Sequence, residues 1–196
     1  MLDPEGDRMH IPRMPGGSRI VLCSWLAVGC VTRETSNAGQ NPDQSLELPI
    51  IDQTHWHTYP VSEDPLPQHQ PAQLDCSPAG YYLTPSIVPE LELDTAYCNY
   101  SLLSTDAVQS LAPGAQLRFA LRHFELLADE PAQAHVALFF GDALVWETYI
   151  DIPAPAQVAE FSFRIQRALA KGDPVRLHLH NHGQNTWVIG KLTSTR

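Results

Sequence analysis

The 196-residue chain lacks the short motifs that mark common enzyme classes in sequence. It contains no Gly-x-Ser-x-Gly, no His-Glu-x-x-His and no glycine-rich phosphate loop, so we expect a protein that does not catalyse. Basic residues are few: 12 Lys and Arg stand against 22 Asp and Glu, for a net charge of −10. Nucleic-acid binding depends on cationic side chains, and the charge balance argues against it.

No apolar run approaches the roughly 20 residues of a transmembrane helix. The longest, Ile20 to Val28, follows Arg13 and Arg19 and ends at Gly29-Cys30, which is the layout of a secretory signal. A small residue before a cysteine resembles the lipobox of bacterial lipoproteins. The resemblance implies cleavage before Cys30, a diacylglycerol with palmitate-type chains on its thiol, and a lipid-anchored place in the cell envelope.

Three alternatives to this interpretation stay open. The signal could be cleaved without lipidation, which would make the protein secreted, or the apolar run could be a buried element of the domain. Met14 is an alternative start that removes the acidic residues from the leader.

Cysteine is scarce as well, with four in the chain. Cys23 lies inside the apolar run and Cys30 is the lipidation candidate. Cys76 and Cys98 remain, and in an oxidising compartment we expect them to form a disulfide. The alternative is two buried thiols that do not meet.

Proline is abundant but uneven: nine of the 17 prolines lie between Pro42 and Pro89. Such a density excludes long helices and central strands. We therefore predict a signal peptide over 1–29, a flexible tether over 30–45 and one domain over 46–196, whose segment 46–89 wraps irregularly around the rest.

Beyond residue 89 the apolar pattern has a period of two, typical of β-strands. Strands alternate over 116–126, 158–165 and 175–180, and two apolar strands flank the Gly141-Asp142 turn as a hairpin. Helical candidates are confined to 105–111 and 166–170. The pattern predicts an all-β antiparallel sandwich. It is similar to the jelly-roll sandwiches of carbohydrate-binding modules, which implies non-catalytic binding of a glycan or another envelope component.

Histidines provide the first candidate site. His178 and His180 are two residues apart in a predicted strand, so they share a face, and His182 follows at the strand end. With His123, or with His135 from another strand, they could hold zinc or copper. The competing interpretation is a polar sheet face beside a turn in which Gly183 has a positive φ, with no cofactor bound.

Aromatic side chains provide the second candidate site. Exposed rings stack on sugars, and Trp187 lies beside the amide of Asn185. Trp56, Tyr81 and Tyr82 are further candidates because they lie in loop-like chain. Trp146 and Trp187 could instead fill the core between two sheets. The functional alternatives are therefore a glycan-binding module, a metal-binding envelope protein, and a structural or protein-interaction domain without a small ligand.

Overall fold

The computed structural model describes residues 46–195. The predicted signal peptide, the lipidation candidate Cys30 and the predicted tether lie outside these residues. Within them, no helix has the length and hydrophobicity that crossing a membrane requires. The strands are β1 Glu47–Pro49, β2 His57–Thr58, β3 Tyr81–Leu83, β4 Leu91–Asp94, β5 Tyr100–Asp106, β6 Gln116–His123, β7 Ala132–Phe140, β8 Ala143–Ile152, β9 Gln157–Arg164, β10 Pro174–His180 and β11 Thr186–Thr195.

These strands form two antiparallel sheets. The six-stranded sheet has the order β3-β4-β11-β6-β9, and β1 also pairs with β11. The five-stranded sheet has the order β2-β5-β10-β7-β8. Because consecutive strands repeatedly change sheet, the fold is the all-β, jelly-roll-like sandwich that the period-two pattern predicts.

The core lies between the inner faces of the two sheets. Leu117, Phe119 and Leu121 of β6 are buried at alternate positions, as predicted. The ring of Phe119 lies 5.1 Å from that of Trp146 on the opposite sheet, in an edge-to-face arrangement. Full burial of one such side chain contributes roughly 1.5–3 kcal/mol, so this layer is the main source of stability.

The predicted hairpin is present as β7 and β8, joined at Gly141-Asp142. Gly141 has a φ of +60° and Gly183 a φ of +80°, and the second value confirms the turn predicted after β10. A Cβ on Gly183 would lie 1.9 Å from the carbonyl oxygen of Leu127, so the close approach of two loops also requires glycine there.

Both helical candidates are wrong. Thr105 and Asp106 end strand β5, and Ala107 forms a bridge with Ile51. In the second candidate, Leu169 forms a bridge with Leu111. Pairing with neighbouring chain satisfies the backbone of both segments, and this tertiary pairing prevails over local helix propensity.

Residues 46–89 are irregular, as the proline density predicts. They contain three strands of two or three residues and four 3-10 turns: Gln53–His55, Val61–Glu63, Pro67–His69 and Pro78–Gly80. Part of this segment, residues 59–69, lies over the outer face of the five-stranded sheet, and we name it the cover segment. It starts where the amide of Tyr59 donates to the carbonyl of Leu102, 2.8 Å away.

Candidate functional site

The prediction that Trp187 and Asn185 bind a ligand is wrong. Trp187 has 0% of its surface exposed, because it lies on the inner face of the central strand β11, and its Nε1 donates to Asn181. The core-filling alternative describes it correctly. Asn185 is also buried. Its side-chain oxygen accepts from the backbone N–H of Leu127 and its side-chain nitrogen donates to the backbone carbonyl of the same residue, so Asn185 joins two loops.

Two of the other aromatic candidates are half-buried. Trp56 packs against the core, with its Nε1 donating to Gln53 at 2.8 Å. The hydroxyl of Tyr81 lies 2.7 Å from both sulfurs of the predicted disulfide, which is formed between Cys76 and Cys98. Burial raises the pKa of Tyr81. Both rings are therefore less accessible than that of an exposed aromatic side chain.

Tyr82 is the candidate whose ring is open to solvent, with 47% of its surface exposed. It lies on β3, where it pairs in register with Glu92 of β4. Since Leu91 and Leu93 face the core, Glu92 and Tyr82 face outward. The Tyr82 hydroxyl donates to the Glu92 carboxylate, and this bond raises the pKa of Tyr82 to about 12.

On the outer face of the six-stranded sheet, β6 presents Arg118, Ala120 and Arg122, and Gly190 of β11 lies beside Ala120. We name the strip of small residues between the two arginines, Ala120 and Gly190, the trough. The two backbones approach so closely there that a Cβ on Gly190 would lie 2.8 Å from that of Ala120. On one side, Arg122 contacts Glu90 at 3.4 Å. On the other, Arg118 contacts two carboxylates. These are Glu47 at 2.8 Å and Glu160 at 3.7 Å.

A cleft of about 540 Å³ opens at the edge of β11, where its pairing partner changes from β4 to β1. The side chain of Gln53 bridges this gap by donating to the carbonyl of Gly190. The cleft has apolar walls that include Ile87 and Val88, with polar groups of Glu47 and Lys191 at its border.

Histidines are gathered on the opposite outer face. Val175, Leu177 and Leu179 of β10 face the core, so His178 and His180 share a face, as predicted, and that face is the outer one. His135 of β7 pairs in register with His180 and brings a third imidazole to the same face. The cover segment adds a fourth, His69, from the turn Pro67–His69.

Asp64 holds the cover segment on this face. Its carboxylate, which is buried, accepts from Nδ1 of His178 at 2.7 Å and from the hydroxyl of Tyr100 at 3.0 Å. Burial by itself would raise the pKa of Asp64, but the bond and the attraction to His178, with smaller help from Leu66 and Tyr100, lower it. Asp64 therefore acts as a fixed anionic acceptor.

A second carboxylate orders His135. Nε2 of His135 lies 2.9 Å from the carboxylate of Glu147, and the ring of Tyr149 stacks on the imidazole with a centroid distance of 4.2 Å. The remaining nitrogens, Nδ1 of His135 and Nε2 of His178, are buried and have no hydrogen-bond partner. The rings lie close together. Centroid distances are 4.3 Å for His69–His135, 5.0 Å for His135–His178 and 5.7 Å for His69–His178.

Crowding and burial favour the neutral form of His69, His135 and His180. Burial lowers the pKa of His180 to about 4, helped by repulsion from its histidine neighbours. Burial likewise lowers the pKa of His69 and that of His135, where the bond to Glu147 opposes the effect.

Two members of the predicted metal set lie apart from this cluster. His123 is on the inner face of the six-stranded sheet, 5.1 Å from the Trp187 ring, so the five-stranded sheet separates it from His178; its predicted role as a ligand is wrong. His182 is exposed beyond the end of β10, and its ring centroid lies 4.7 Å from that of His180. In residues 46–195, no three His, Cys, Asp or Glu side chains already stand in position to hold an ion.

Sequence reasoning missed His69, Asp64 and Glu147. His69 and Asp64 lie in proline-rich chain with no period to align them, and Asp64 is 114 residues from His178. In the sequence, Glu147 cannot be told from any solvated charge on a strand. Its place in the cluster follows from the strand register, in which Glu147 pairs with Ala137 and Ala137 pairs with His178.

Comparison with known proteins gives structural likenesses alone. No protein-family model matches the chain, and no curated protein matches its sequence. The cleaved K3 adhesin domain of Lys-gingipain from Porphyromonas gingivalis is 12% identical, with TM-score 0.44, covering 76% of this chain and 99% of that one. The C-terminal CBM6 of LamC from Zobellia galactanivorans is 11% identical, with TM-score 0.41 and coverages of 76% and 99%. The family 11 carbohydrate-binding module of a Clostridium thermocellum cellulase is 9% identical, with TM-score 0.42 and coverages of 76% and 94%.

These TM-scores are all below 0.5, so the assignment to the class of all-β jelly-roll-like sandwiches rests on the strand order and register of the chain itself.

Proposed function

We propose that residues 46–195 form a non-catalytic glycan-binding module whose site is the outer face of the six-stranded sheet around Tyr82. One observation carries the proposal. The exposed Tyr82 ring lies in the same cross-strand row as Glu92 and Arg122, beside the trough of Ala120 and Gly190 and its ion-paired arginines and glutamates.

The chemistry of that trough suits a sugar. A pyranose has an apolar face, which stacks on an aromatic ring, and hydroxyls, which need donors and acceptors in fixed places. Tyr82 provides the ring, with its hydroxyl fixed by Glu92. Arg122 and Glu90 hold each other in place, and charge-assisted bonds to ligand hydroxyls from such a pair are stronger than those of neutral groups.

The same ion pairs favour binding over hydrolysis. A glycosidase uses a carboxylic acid and a carboxylate on either side of the scissile bond. Here Glu90 contacts Arg122, while Glu47 and Glu160 contact Arg118. The carboxylates therefore orient the arginines across the trough.

A glycan array followed by affinity electrophoresis tests the proposal. We expect retention by at least one polysaccharide, weakened tenfold or more by Tyr82→Ala because the stacking ring is lost. Tyr149→Ala is the matched control: Tyr149 is also 47% exposed but lies on the other outer face, and its loss should leave retention unchanged. Absence of retention on every glycan would favour the structural or protein-interaction alternative.

For the whole chain, we propose an envelope lipoprotein anchored through Cys30. The short apolar run ending at Gly29-Cys30 supports this, and the Cys76–Cys98 disulfide is compatible with an oxidising compartment. Two or more acyl chains would give a stable anchor. Mass spectrometry of the protein from its native host should find a diacylated or triacylated Cys30, and an unmodified N-terminus upstream of residue 30 would refute the anchor.

A further inference from the structure

We infer that His69, His135 and His178 form a zinc site that fastens the cover segment to the five-stranded sheet. The site is separate from the trough, and the proposal stands whether or not the trough binds a glycan. It also replaces the ligand set His178, His180, His182 and His123 that the sequence suggests.

The hydrogen bonds of two buried histidines point to a missing ligand. A carboxylate accepts and does not donate, so Asp64 places a proton on Nδ1 of His178, and Nε2 is the nitrogen available to a metal ion. In the same way Glu147 places the proton of neutral His135 on Nε2 and leaves Nδ1 free. Both free nitrogens are buried without a partner. Buried polar atoms are seldom left so, and two in one cluster indicate that something binds there.

The ring spacing matches a metal ion. With a Zn–N distance of about 2.0–2.1 Å and a ring centroid roughly 1.1 Å beyond the nitrogen, tetrahedral geometry separates neighbouring centroids by about 5 Å. The three observed distances are 4.3, 5.0 and 5.7 Å. His69 is half-buried at the end of a turn whose other two residues are exposed, and its ring must turn before three donor nitrogens converge on one point.

The surroundings are those of histidine zinc ligands. Such a ligand usually donates its second N–H to a carboxylate, which fixes the ring and the tautomer, and Asp64 and Glu147 fill that role here. The fourth position falls to His180, whose centroid is 6.1 Å from that of His69, or to water. Since His69 comes from the cover segment and the other two from β7 and β10, the ion would crosslink the two layers.

Calorimetry with Zn²⁺ on the full chain, after treatment with EDTA, tests the site. We expect one ion per chain and a melting temperature that rises with zinc, because binding to the folded state alone stabilises it. Visible absorption of the Co²⁺-loaded protein should show tetrahedral coordination. Binding of neither ion to the folded protein would overturn the proposal.

Two variants test the ligand set. His69→Ala should lower the affinity for zinc at least a hundredfold. His182→Ala, which removes an exposed imidazole just beyond β10, should leave the affinity unchanged. Equal affinities of His69→Ala and the unaltered protein would overturn the proposal, and so would a larger loss from His182→Ala.

Glu147 is a positioning residue, and Glu147→Gln tests its role without altering a ligand. A glutamine can donate to Nε2 of His135, which allows the proton to move to the metal-binding Nδ1. We expect a 10- to 100-fold loss of zinc affinity with unchanged melting of the zinc-free protein. Unchanged affinity would show that Nδ1 of His135 binds no metal and would contradict the ligand set.

Discussion

The two outer faces of this sandwich are built from the same alternating strands but have opposite environments. On the face of the six-stranded sheet, which we call the open face, partly exposed arginines and glutamates neutralise each other beside an exposed tyrosine. The face of the five-stranded sheet is covered in part by residues 59–69, and its polar groups include the buried imidazoles of His135 and His178 and the buried carboxylate of Asp64. An open face can exchange water for a ligand at little cost, whereas buried polar groups must be satisfied within the protein or by an ion.

The covered face should therefore be the more sensitive to single substitutions. Asp64→Ala would leave Nδ1 of His178 buried without an acceptor and would leave the Tyr100 hydroxyl only the carbonyl of Leu66, 3.4 Å away. Loss of one member of a buried pair costs about 3–5 kcal/mol. We expect a fall of that size in the free energy of unfolding by urea. Glu90→Ala on the open face is the control. Equal losses of unfolding free energy from the two substitutions would contradict the claim that the covered face is the more sensitive.

The disulfide gives a second test on the covered side. Cys76 follows the cover segment and Cys98 precedes β5, and the two cysteines are 22 positions apart in the sequence. Its loss should cost about 3 kcal/mol in the chain-entropy model. The Cys76→Ser/Cys98→Ser protein should therefore unfold at lower urea and be cut faster by protease within residues 59–76. Faster cutting only in the loop between β3 and β4 would show that the disulfide does not hold the cover segment in place.

On the open face, the floor of the trough should be the most sensitive point. Gly190→Ala would bring two Cβ atoms within 2.8 Å, and overpacking of this kind costs about 1–3 kcal/mol. We expect lower stability and lower glycan retention. Ala120→Gly in the same chain should restore part of the stability, since the two residues share one contact. Full additivity of the two changes would show that they do not meet.

The ion pairs of the open face should matter least for stability. Arg122 and Glu90 are both partly exposed, and such pairs contribute roughly 0–1 kcal/mol. Arg122→Ala should therefore leave the urea midpoint nearly unchanged while glycan retention falls severalfold. Unchanged retention in a stable variant would exclude Arg122 from the site.

The difference between the faces also decides what the sequence could reveal. Alternation predicted the sandwich, the hairpin and the shared face of His178 and His180, because these depend on neighbours along one strand. It could not tell whether Trp187 is stacked or buried, since that depends on which face of β11 points inward. Asp64 and His69 reach the cluster through long-range packing of aperiodic chain, which no local pattern encodes.

The most direct test of the account is to locate the glycan on the protein. Backbone amide resonances of the isotope-labelled protein should be followed during titration with a glycan identified on the array. The account predicts shifts at Tyr82, Glu92, Ala120, Arg122 and Gly190, with those of His135 and His178 unmoved. Shifts centred on the histidines, with the trough unchanged, would contradict it.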